Sequence, residues 1–139
     1  MGREKDDSQS ARYQQYFREA LDYQVLLMDH PNEKQMLDGI VELLAEVCAS
    51  RRKTIRLNGE EQPMEAVRSR FKQLNLEHIR YVFLMLSQTS GNVKNMSRYL
   101  LTLLYNAPVQ MQAYYQMRVN YDQAQMAESH MIEKLQKAE

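Results

Sequence analysis

Seven basic side chains fall within a 22-residue stretch of this chain: Arg51, Arg52, Lys53, Arg56, Arg68, Arg70 and Lys72. Guanidinium forks match the geometry of phosphate oxygens, and several on one surface give nucleic-acid affinity that depends on salt and little on base sequence. Arg51, Arg52, Lys53, Arg56, Arg68 and Arg70 are therefore the candidate nucleic-acid contacts. The competing interpretation is that these charges, interspersed with Glu60, Glu61 and Glu65, decorate a solvated face or pair with an acidic helix upstream. Tyr81, Tyr99 and Tyr105 are candidates for stacking on bases, although Tyr99 falls on an apolar stripe, which favours core packing.

No other chemistry has a pattern. His30, His78 and His130 lie far apart with no second His or Cys at i+3 or i+4, so no metal site is expected, and His78, in the first turn of its helix, is expected at the surface. Asp38, Glu42 and Glu46 recur at i, i+4 and i+8 along one helix surface instead of converging as an acid–base pair. Four glycines in the whole chain cannot make a phosphate-cradling loop and still punctuate the turns. Cys48, the single cysteine, excludes an internal disulfide, fits a reducing cytoplasm and sits on an apolar helix face, the position of a buried structural thiol. No catalytic residue, cofactor or small-molecule substrate is expected, and the chain does not read as an enzyme.

The basic residues need a platform, and the sequence supplies a hairpin followed by a helix. Asn58-Gly59, flanked by the alternation Thr54, Ile55, Arg56, Leu57, predicts two strands at about 53–57 and 60–62, because both central residues of such a turn require positive φ. A lone hairpin is marginal in water and must lean on a helix. Pro63 then opens a helix at about 64–74 with Val67 and Phe71 inward. Upstream, Leu37, Ile40, Val41, Leu44, Val47 and Cys48 predict a helix over 33–49, and Tyr13, Tyr16, Phe17, Ala20 and Leu21 one over 9–27, ended by His30-Pro31. Downstream, Ile79, Val82, Phe83 and Leu86 stripe one helix, and Met96, Tyr99, Leu100, Leu103 and Leu104 another. A Ser90-Gly91-Asn92 loop joins them, with Asn95 as the second helix's N-cap. Asn106-Ala107-Pro108 is expected to break that helix and start a last one, reaching about Tyr121.

At 139 residues the chain is long enough for one core. The expected organisation is a disordered stretch at 1–8, a single mainly α domain over 9–121 and an extension at 122–139. That domain is a compact bundle of five to six helices with one small β-hairpin near 53–62. Ten Met residues suit irregular gaps between helices. No run approaches the ~18 apolar residues of a membrane span. The overall charge of zero hides a polarised distribution: residues 1–50 carry five basic and ten acidic side chains, 51–107 ten and four, and 108–139 three and four. A basic middle flanked by acidic and near-neutral ends is the signature of internal pairing or of a basic working face.

The run CASRRKTIRLNGEEQP, then VRSRFKQLNLEHIRYVF, then NVKNMSRYLLTLLYNAP, resembles a domain-of-unknown-function family. That family forms the C-terminal region of replication initiator A proteins on plasmids and conjugative elements of Firmicutes. The resemblance covers roughly residues 16–121. In full-length members a winged-helix DNA-binding domain precedes this region, so the chain reads as an excised C-terminal domain or a stand-alone variant. The fragment Tyr99-x-x-x-Leu103 is similar in architecture to the C-terminal domain of DnaD-type primosomal proteins, whose motif carries Trp where this chain has Ala107. The resemblance implies an accessory domain in replication initiation that binds DNA or a replication protein. The alternative is an interaction module in which the final helix and 122–139 dock a partner or form a homodimer.

Overall fold

The structure, a computed structural model, describes residues 2–89 and 93–137, with side chains from residue 8 onward. The expected loop at 90–92 lies outside the described residues. In order, the elements are α1 (Gly2–Ala20), α2 (Tyr23–Asp29), a 3-10 turn (Pro31–Glu33), α3 (Lys34–Ala49), β1 (Thr54–Leu57), β2 (Glu60–Pro63), α4 (Met64–Lys72), α5 (Leu76–Gln88) and α6 (Met96–Lys137). This is the expected mainly α bundle with one hairpin.

The chain divides into two compact units, Met1–Pro108 and Val109–Glu139. In the first, α3 is the central element: α1 lies against it, and α2 and α4 also pack on it. Its stripe of Leu37, Ile40, Val41, Leu44, Ala45 and Cys48 is buried together with Phe17, Leu21 and Leu26 from the N-terminal side and Val67 and Phe71 from α4. Ile79, Val82, Leu100 and Leu104 complete this core from α5 and the first part of α6. The second unit is the remainder of α6, and most of its large apolar side chains are exposed, Met117 at 72% and Met131 at 66% among them.

Three boundaries differ from the sequence expectation. The backbone is helical from Gly2, whereas disorder was expected through residue 8. The single expected helix over 9–27 is two helices, because Asp22 adopts a left-handed conformation (φ 53°) between them. The break brings Tyr23 into the core, where its hydroxyl donates to Asp38 on α3. Pro108 lies inside α6 instead of ending it. A proline forfeits one i→i−4 hydrogen bond, and the flanking residues are good enough helix formers to continue the ladder on each side. Met96, expected on a buried stripe, is 41% exposed.

The start of α5 corrects the reading of His78, which is buried. Asn75 caps the helix, its side chain accepting from the amides of Glu77 and His78. In return the amide of Asn75 donates to His78 Nδ1 at 3.0 Å, a capping box with histidine in the place usually held by Glu or Gln. Burial pushes the His78 pKa below its ordinary value, partly offset by the negative charge of Glu77. The native state therefore favours the neutral ring, and only a neutral ring leaves Nδ1 free to accept. With the folded pKa below the unfolded one, this contribution is complete above the unfolded value near 6.5 and is lost as pH falls from there through the lower folded value. Urea unfolding should show stability declining as pH falls below about 6.5, and His78→Gln, which keeps an acceptor but does not titrate, should flatten that decline. An unchanged slope in the variant would show that another group is responsible.

A basic cleft on the hairpin

The turn that makes the hairpin is the one the sequence demands. Asn58 and Gly59 have φ of 56° and 79°, and antiparallel pairing sets Thr54 opposite Pro63, Ile55 opposite Gln62, Arg56 opposite Glu61 and Leu57 opposite Glu60. Side chains alternate across a strand, so Leu57 enters the core while Thr54 and Arg56 share the other face. The hairpin leans on α6 at two places. The Asn58 and Asn106 side-chain amides exchange reciprocal hydrogen bonds at 2.8 and 2.9 Å. Arg98 Nη2 donates a long 3.4 Å bond to the main-chain carbonyl of Arg56. At its base, the amide of Met64 donates to the carbonyl of Lys53 at 2.8 Å, joining the incoming strand to the start of α4.

Against this braced hairpin lies an open cleft of about 480 Å³, lined by Arg52, Lys53, Thr54, Arg56, Glu61 and Arg98, with Ile55. Four cations meet one carboxylate there. Arg52, Lys53 and Arg56 are expected contacts that the fold brings together, and all three are exposed. Arg51 is exposed and does not line the cleft.

Arg68 and Arg70 have other employment. Arg68 Nε donates to the carbonyl of Cys48 at 2.8 Å and its Nη2 to the carbonyl of Ser50 at 2.7 Å, so the guanidinium caps the end of α3. The Arg70 guanidinium lies 4.1 Å from the centroid of the Tyr105 ring, which also meets Phe71 edge-on. Lys72 turns toward Tyr13, 5.6 Å from its ring centre. The six expected contacts therefore split: three share the cleft, Arg51 lies outside its lining, and Arg68 and Arg70 stand in the packing between elements. Arg98 was missed. Its only sequence signal is its place beside Lys94 just inside a capped helix start, 42 residues from Arg56.

The tyrosines belong to packing. Tyr81 and Tyr105 are buried, and the Tyr99 hydroxyl meets Thr89 Oγ1 at 2.9 Å. Among the described residues no three His, Cys, Asp or Glu side chains gather as a metal site, and no helix is long and apolar enough to cross a membrane. Cys48 is buried, and burial pushes its thiol up to about 11 despite the opposing pull of the Lys72 and Arg68 charges. A thiol-specific reagent at about pH 8 should leave the folded protein unlabelled and react fully once denaturant is added. Rapid labelling of the native chain would contradict this placement.

Residues 2–126 match a protein family of unknown function, DUF6017. The chain belongs to the DUF6017 family. Neither the curated proteins nor the solved structures gave a match. For this DUF6017 chain the functional reading thus rests on the cleft and the residues that line it.

Proposed function

We propose that the hairpin cleft is a phosphate-binding surface through which this domain holds DNA. The observation that carries the proposal is the convergence of Arg52, Lys53, Arg56 and Arg98 on one open cleft with Glu61 as its single acidic lining residue. The cleft is open and polar, a shape for a phosphate backbone running across it, and its lining holds no aromatic ring on which a base could stack. Binding is then electrostatic and indifferent to base sequence. The resemblance to the C-terminal region of plasmid replication initiators gives such a surface a role: an accessory DNA contact beside a domain that recognises the origin. The test is an anisotropy titration of the full chain with single- and double-stranded DNA across ionic strength. Affinity that falls linearly with the logarithm of salt supports the proposal, and no measurable binding at low salt defeats it.

A second reading has its own observation. The unit Val109–Glu139 exposes Met117, Tyr121, Met131 and Leu135, apolar side chains that a partner protein or a second copy would cover. Light scattering on the same samples separates the two, since a dimer that fails to bind DNA favours the interaction module.

A further inference from the structure

A second groove, between α1 and the end of α4, has a chemistry that the hairpin cleft lacks. Gln9, Arg12, Tyr13 and Tyr16 recur at i, i+3, i+4 and i+7 on α1 and so share one helix face. Lys72, the last residue of α4, stands on the opposite side, and the five residues line an open hollow of about 350 Å³. The Tyr16 hydroxyl donates at 2.8 Å to the main-chain carbonyl of Lys72, a bridge that fixes the groove's width. The Lys72 ammonium is not used by that bridge and stands at the groove beside the Tyr13 ring. Two cations, two phenol rings and one amide line the hollow, and none of the five is acidic.

This combination selects for a particular kind of ligand. Cations alone would serve any anion, and rings alone any apolar group. Together they favour a planar aromatic group carrying a phosphate, since base–aromatic contact and charge-assisted phosphate contact reinforce each other. The volume is at the low end of the ~300–1,000 Å³ of small-molecule sites, room for one nucleotide and too little for a duplex. We propose that this groove binds a nucleoside monophosphate unit, its phosphate held by Arg12 and Lys72 and its base against Tyr13 and Tyr16, with the Gln9 amide available to a base edge. The unit is either a free nucleotide or one residue of a single strand. The inference stands apart from the hairpin reading, since it uses none of the same residues.

The test is calorimetric titration of the full chain with thymidine 5′-monophosphate, with thymidine and inorganic phosphate as separate probes. Saturable binding of the monophosphate, with each fragment at least about tenfold weaker, is the expected result. The R12A/K72A double variant should lose about tenfold or more, with an unchanged melting midpoint, because the Tyr16 bridge uses only the Lys72 backbone. The R52A/K53A/R56A variant should bind the monophosphate as the parent does, which separates failure of this site from failure of the hairpin cleft. Competition by a short oligothymidylate assigns the site to single strands, and its absence assigns it to free nucleotide; both support the site. No saturable binding, inorganic phosphate binding as tightly as the nucleotide, or unchanged binding in R12A/K72A would overturn it.

Discussion

Replacing Arg68 by Met should destabilise the fold by about 3 kcal/mol while leaving any DNA affinity nearly untouched. The last carbonyls of a helix have no partner within it. At the end of α3 the carbonyls of Cys48 and Ser50 receive both of theirs from one guanidinium, which reaches them from α4 and places a positive charge at the negative end of the helix. Methionine keeps the apolar stem and removes the fork, leaving two part-buried acceptors without donors at about 1–3 kcal/mol each. A chain of this size should lose roughly 10 °C of melting midpoint for such a change. Lysine restores the charge but offers a point donor instead of a planar fork, and should recover less than half of the loss. Denaturant unfolding of R68M and R68K measures both, and a loss below about 1 kcal/mol in R68M would show that water replaces the guanidinium without cost.

The second large effect is expected on binding. R52A/K53A/R56A should weaken DNA affinity about a hundredfold near 0.1 M salt and reduce the slope of log affinity against log salt by about 3, close to one per phosphate contact removed. The loss should be the same for unrelated base sequences, because phosphate contacts carry no base information. Stability should change little, since these side chains are exposed and the bracing of the hairpin uses the Arg56 carbonyl and the Asn58 amide. An unchanged slope would remove the cleft from the binding surface. R68M is the companion control: a phosphate contact would lower the slope, and a helix cap would not.

The contrast between Arg68 and Arg56 shows what a single sequence can and cannot disclose. The hairpin was legible because Asn58-Gly59 states its own backbone requirement, and α3 because its apolar spacing admits one buried face. Both are local properties. The fate of a charge is not local: Arg56 and Arg68 are the same residue in similar basic company, and only the fold decides which one meets carbonyls and which meets solvent. Arg98 joins the cleft through a helix that begins some forty residues later, beyond any spacing rule. The break at Asp22 was invisible for a related reason. No glycine or proline marks it, and the left-handed turn persists because it lets Tyr23 and Leu26 bury beside Phe17 and Leu21. At Pro108 the local signal was present and the continuing helix overrode it.

The fastening of Asn58 to Asn106 carries a consequence for how the chain is made. The two amides are 48 positions apart, so the turn leaves the ribosome well before its partner on α6 and until then has only the start of α4 to lean on. The strands can pair early, within microseconds of becoming available, but the wall that Arg98 adds arrives only with the next stretch of translation. A nascent chain halted before that point would carry Arg52, Lys53 and Arg56 yet lack the finished surface.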